Sequence, residues 1–174
     1  MAIRDVLALL SELERDGIVA RYAIGGAVAA TRYTSPAATE DVDVFISFAD
    51  GATSGLDPLR PIYAYLLARG ARPEGGHVVI GDWPVQFLPA ERPLLAEALH
   101  HAVEQDVDGI TTRLFTAEHL AAIALQLGRP KDKLRLEQMV REQVLDMKVF
   151  GAILERHDLG PKWKDFSRRY LEAP

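Results

Sequence analysis

Gly25-Gly26, followed by Thr39-Glu40-Asp41-Val42-Asp43-Val44-Phe45-Ile46, is the stretch on which the fold turns. Asp41 and Asp43 stand two apart inside an alternating apolar run. In a strand, both carboxylates leave one face, with Val42 and Val44 on the other. Carboxylates held that close repel, and a divalent cation relieves the repulsion. Upstream, Tyr22-Ala23-Ile24 reads as a short strand and Ala27-Val28-Ala29-Ala30 as the first turns of a helix, with the glycine pair between them. Backbone amides left exposed where a strand meets a helix form an anion site. A phosphate cradle beside paired carboxylates points to nucleotide chemistry.

These residues resemble the signature of the DNA polymerase β-like nucleotidyltransferase superfamily. Its pattern is a hydrophobic residue with Gly-Gly or Gly-Ser, a spacer, then Asp-hydrophobic-Asp on the next strand. The spacer here, Ala27 to Glu40, is fourteen residues. Leu127-Gly128-Arg129-Pro130-Lys131-Asp132-Lys133 is similar to the Gly-Arg-x-Lys-Asp phrase of the small bacterial AbiEii-like toxin nucleotidyltransferases. The resemblance spans Tyr22 to Leu136. It implies an α+β fold, a small mixed β-sheet flanked by helices with a C-terminal helical part. It also implies Mg2+-dependent transfer of a nucleoside monophosphate from an NTP to a hydroxyl. The acceptor would be RNA (a tRNA end), a protein or a small molecule, and an antitoxin would be the partner in a toxin-antitoxin pair.

On this resemblance Asp41 and Asp43 are catalytic metal ligands for Mg2+. Gly25 and Gly26 let backbone approach phosphates and leave amides to donate. Lys131 is catalytic and faces the triphosphate, with Asp132 holding it in place. The competing reading makes Arg129, Lys131, Asp132 and Lys133 a polar helix start in which Asp132 is favoured by the dipole. Arg32, near a helix end, is either a triphosphate contact or an exposed arginine. Thr39 either donates to a phosphate or caps a turn.

Two positions depart from the pattern. The superfamily's third carboxylate comes from a later strand, and the matching phrase Val85-Gln86-Phe87-Leu88-Pro89 carries Gln86 there. Glutamine ligates through its carbonyl but adds no charge and takes no proton. Gln126 stands where the relatives carry a lysine, and Asp82, a nearby substitute acid, is on a turn with the wrong strand geometry. These departures support an alternative: a catalytically impaired nucleotide-binding or protein-interaction module. Asp106-Val107-Asp108-Gly109 reads as a decoy, since it lacks upstream glycines and Asp-Gly is a turn dipeptide. The five histidines show no metal-ligand spacing, and no Walker-type loop or Gly-x-Ser-x-Gly occurs.

At 174 residues, 48% hydrophobic and 26% charged, the chain has an ordinary globular composition. It contains no cysteine, which excludes disulfides and thiolate chemistry. No apolar run approaches the ~18 residues a membrane helix needs and no signal-like start occurs, so a cytoplasmic, membrane-free location is expected. The net charge of −5 argues against an extensive nucleic-acid surface but not against a local basic patch among the late residues 129–169. Periodicity predicts helices at 2–14, 27–33, 56–68 and 93–102, and strands at 22–24, 41–48, 77–80, 85–88 and 110–115. Thereafter it predicts helices alone, the first capped by Thr116. The expected organisation is a core over 1–115 with a helical region, 116–174, packed on it.

Overall fold

The computed structural model describes residues 3–36, 39, 41–50 and 57–172. Glu40, the loop 51–55 and the predicted helix start at residue 56 lie outside them. The chain forms two compact units: Met1–Ala29 with Ala37–Phe115, and Ala30–Pro36 with Thr116–Pro174.

The first unit runs α1 (Ile3–Arg15), β1 (Arg21–Ile24), α2 (Gly26–Ala30, its last residue counted with the second unit), β2 (Val42–Ser47), α3 (Arg60–Leu67), β3 (Arg72–Glu74), β4 (His77–Ile80), β5 (Trp83–Pro89), α4 (Pro93–His100), β6 (Val103–Val107) and β7 (Ile110–Leu114). Among the described residues the strands form one mixed sheet, ordered β3-β4-β5-β2-β1-β7-β6. At its centre β1 and β2 pair antiparallel, Ile24 opposite Val44, while β5 lies parallel to β2 and β7 parallel to β1.

Alternation divides the central strands into two faces. Val42, Val44, Ile46, Tyr22 and Ile24 are all buried on one, where Ser11 of α1 meets the Tyr22 hydroxyl at 3.1 Å. The opposite face carries Asp43 and Phe45 on β2 with Arg21 and Ala23 on β1. Helix α4 covers the far end of this second face: the Arg21 Nε donates to the Leu99 carbonyl at 3.0 Å. The other end, around Asp43, is left to the glycine turn.

Helix α1 is amphipathic, burying Val6, Leu7, Leu10 and Leu13 at helical spacing. It is tied to the sheet by a fork from Arg113 of β7, whose Nη1 and Nη2 donate to the Glu14 carboxylate at 2.7 and 2.8 Å. Burial alone would raise the Glu14 pKa. The hydrogen bond and charge of Arg113, the Tyr22 amide and Arg21 outweigh it, and the group sits below its usual 4.5. A depressed carboxylate contributes stability that is full above the unfolded-state value and is lost as pH falls through the folded one. Glu14→Gln should therefore lower the urea midpoint at pH 7 and lower it by less at a pH well below 4.5. An equal deficit at both pH values would mean that the charge of Glu14 is not the cause.

The second unit contains α5 (Ala117–Leu127), α6 (Pro130–Arg141), α7 (Met147–Arg156), α8 (Gly160–Phe166) and a π-helical segment, Ser167–Leu171. Thr116 caps α5, its hydroxyl accepting from the His119 amide at 3.3 Å, and Gly128 ends the helix at φ 65°. Helix α5 is buried almost all round and packs against α6, α7 and α8. The segment 30–36 joins this unit through Ser35, whose amide donates to the Glu142 carboxylate at 2.8 Å. No helix among the described residues is long and apolar enough to cross a membrane.

The elements differ from the periodicity at α2, α3, β3 and β6, and α3 begins at Arg60, residues 57–59 lying outside the helix. Helix α2 ends at Ala30, three residues before the predicted end at Tyr33, and residues 31–33 form a turn. Two strands, β3 and β6, arise where no alternation is visible. Both are edge strands whose residues are mostly exposed, so little burial pressure shapes their sequence. Asp108-Gly109 is the two-residue turn joining β6 to β7, both residues at positive φ, with the Asp106 carboxylate accepting from the Gly109 amide. The second Asp-x-Asp thus has a turn-building role.

Candidate active site

Asp43 is the second residue of β2, and Asp41 immediately precedes that strand. Both are half-buried, whereas Val42 and Val44 between and after them are fully buried. The pleat places the two carboxylates on one face. On β5, Gln86 is the register partner of Asp43. In-register residues of adjacent parallel strands share a face about 4.8 Å apart. Gln86 therefore flanks Asp43 where the superfamily pattern calls for a third acid. Asp82 is exposed in the Gly81-Asp82 turn, before β5 begins.

Both glycines leave room that a Cβ would fill, and the Gly25 amide is already engaged. The Gly25 amide donates to the Asp43 carbonyl at 2.9 Å, extending the β1–β2 ladder one step past Ile24. That corrects the expectation of an open donor at residue 25. A Cβ at Gly25 would lie 2.5 Å from a carbon of the Phe45 ring and 3.1 Å from Phe115. These two rings pack with centroids 4.7 Å apart. Gly26 opens α2 at φ 59°, and a Cβ there would collide with the Asp43 carboxylate, 2.9 Å from its Cγ. The carboxylate thus occupies room that only glycine leaves. Phe45 and Phe115, which wall this turn, were not singled out from sequence. Their signal is an aromatic following the Asp-x-Asp phrase and another closing β7.

Thr39 donates from Oγ1 to the Asp41 carbonyl at 3.0 Å, so it shapes the approach to β2. Among the described residues no group of three or more histidines or acids could hold a metal. Two half-buried carboxylates, one on β2 and one just before it, flanked by a neutral amide, suit Mg2+, which takes few protein carboxylates and keeps positions for water and phosphate oxygens. They do not suit Zn2+.

The remaining predicted residues belong to the helical unit. Arg32 is exposed in the turn after α2, and Lys131 is exposed in the first turn of α6. Asp132 is buried. Its carboxylate accepts from Arg129 Nε at 2.6 Å, Nη2 at 3.2 Å and the Arg129 amide at 3.3 Å, closing a capping box at the start of α6. Gln126 lies in the last turn of α5, and its backbone carbonyl accepts from the Lys162 ammonium at 2.9 Å.

No protein-family model and no curated protein matches this sequence. Solved structures do match. An antigenic nucleotidyltransferase-like protein from Paracoccidioides brasiliensis is 18% identical, with a TM-score of 0.58 over 91% of this chain and 90% of that one. ANT(2")-Ia in complex with adenylyl-2"-tobramycin is 16% identical, with a TM-score of 0.49 over 97% and 96%. The chain has an α+β, nucleotidyltransferase-like fold.

Proposed function

We propose that this protein is a Mg2+-dependent nucleotidyltransferase. The observation that carries the reading is the carboxylate of Asp43 seated against Gly26, with Asp41 on the same face. Asp41 and Asp43 would hold the metal, which when bound supplies charge neutralisation and alignment. A hydroxyl of RNA, a protein or a small molecule forms a bond to the α-phosphorus, the bond to the leaving oxygen breaks, and pyrophosphate departs. Gln86 offers no base, so the hydroxyl proton passes to water. Lys131 and Asp132 enter as nucleotide contacts on the resemblance alone, as does the toxin-antitoxin setting, and Arg32 and Thr39 enter on their positions in the sequence. Asp132 would serve by fixing the turn that carries Lys131.

The register of Gln86 with Asp43 favours a second reading, a catalytically impaired module that binds nucleotide or a protein. Pyrophosphate release from each of the four NTPs, with Mg2+ and total RNA as acceptor, separates the two. The parent should release pyrophosphate. Gln86→Asp should raise the rate about tenfold or more, since a positioned general base contributes about 10²–10⁴-fold. A silent parent revived by Gln86→Asp would establish impairment. Silence from both, with Mg2+-dependent NTP binding retained, would leave the binding module, and absence of NTP binding would sink both readings.

A further inference from the structure

Charge is divided between the two units. The mixed unit carries eight lysines and arginines against sixteen aspartates and glutamates, net −8, and the helical unit carries twelve against nine, net +3. Along α6 the sign divides again. Toward its C-terminal end lie Glu137, bound to Arg141, then Glu142, bound to Ser35, then Asp146, which caps α7. At its N-terminal end stand Arg129, paired with the buried Asp132, and Lys131, Lys133 and Arg135. Twelve helical residues separate these ends by about 18 Å. Beyond the Arg129–Asp132 pair, the N-terminal half of α6 thus keeps three basic residues.

Helix α8 and the π-helical segment add to the basic end. The Lys133 ammonium stands 5.6 Å from the centre of the Tyr170 ring, and Lys162 reaches the Gln126 carbonyl. Here a cleft of about 190 Å3 opens within the helical unit. Leu125, Leu136 and Phe166 make its apolar wall. Its rim holds Lys133, Lys162, Arg169 and Tyr170, with Asp165 as the one acid. Asp165 binds both Arg168 and Arg169, at 2.7 and 2.9 Å, so the rim keeps a positive excess. Two features make this more than a solvated helix end. Arg169 and Tyr170 lie in a π-helical segment, an uncommon geometry that recurs at functional sites. Tyr170 also ends a chain of rings, Phe150, Trp163, Phe166 and Tyr170, spaced 5.1, 5.9 and 5.0 Å and rooted in a buried phenylalanine. A half-exposed ring so anchored is a ready stacking platform.

We propose that this basic end of the helical unit binds single-stranded nucleic acid. A backbone phosphate enters the cleft between Lys133, Lys162 and Arg169, and a neighbouring base packs on Tyr170. Cations beside an anchored aromatic match a chain of alternating phosphates and bases better than an acidic polypeptide, which offers nothing to stack. Binding does not depend on transfer at Asp43. If transfer also holds, the strand supplies the acceptor hydroxyl, and that further step rests on the proposed function.

Fluorescence anisotropy of the full chain with labelled twelve-nucleotide RNA and DNA, across a salt series, tests the proposal. Both strands should bind, the tighter one naming the acceptor type, with affinity falling as salt rises. Each of Lys133→Gln, Lys162→Gln and Arg169→Gln should flatten the log–log salt slope by about 0.7. Lys162→Glu with Arg169→Glu should weaken binding at least about tenfold. Tyr170→Ala should weaken it several-fold with the slope unchanged, as for a lost stacking contact. Thermal melts show whether each variant folds, and the neutral glutamine variants carry the test if charge reversal unfolds the protein. Lack of binding at low salt, unchanged slopes in folded variants, or competition by polyglutamate as strong as by RNA would each overturn the proposal. Asp43→Asn retaining strand binding would separate failure of transfer from failure of this inference.

Discussion

Asp43→Asn is expected to lower pyrophosphate release at least about a thousandfold while leaving the melting temperature unchanged or slightly higher. The substitution keeps shape and removes one charge. If Asp41 and Asp43 share the metal, the site loses half its carboxylates, and the remaining amide neighbour, Gln86, contributes only a carbonyl. A loss of about 4 kcal/mol in transition-state stabilisation corresponds to that thousandfold. Stability should move the other way, because two half-buried carboxylates on one pleat face repel when no cation lies between them. Pyrophosphate release in saturating Mg2+ and the melting temperature without Mg2+, from the same preparation, make the check. Wild-type activity in Asp43→Asn would remove Asp43 from the chemistry. A steep fall in melting temperature with activity lost would mark it as structural.

Legibility from sequence followed burial. Strand β2 could be read because Val42 and Val44 must be apolar while Asp41 and Asp43 need not be, and a period of two is unambiguous there. Helix α5 could be read at both ends, from Thr116 and Gly128, because caps have a chemistry of their own. Strands β3 and β6 could not, since an edge strand facing water holds its place through the backbone ladder, and its side chains carry almost no pattern. In the candidate site the identities were visible and the roles were not. Gly25-Gly26 was conspicuous as a pair, yet its fit against Phe45, Phe115 and the Asp43 carboxylate depends on residues 17 to 90 positions away. Long-range contacts of that kind leave no local periodicity. Asp132 fits the same account: Gly-Arg-x-Lys-Asp was legible as a phrase, but only the fold reveals that its acid is spent on Arg129 and the start of α6.

Gly26→Ala should cost both stability and transfer, by mechanisms that a second substitution can pull apart. At φ 59° an L-residue carries a backbone penalty of about 1–2 kcal/mol. The new methyl also lands on the Asp43 carboxylate, which must swing away, so pyrophosphate release should fall about a hundredfold or more, as expected when a reacting group is displaced by about 1 Å. Gly26→Asn separates the terms, because asparagine tolerates the left-handed region while still carrying a Cβ. It should recover much of the lost stability and little of the lost activity. In an Asp43→Ala background the stability cost of Gly26→Ala should shrink toward the backbone penalty, since the carboxylate it would strike is gone, and the two effects should fail to add. Additive losses across that cycle, measured by urea unfolding, would mean that Gly26 serves only its turn and that the fit between glycine and aspartate has no energetic weight.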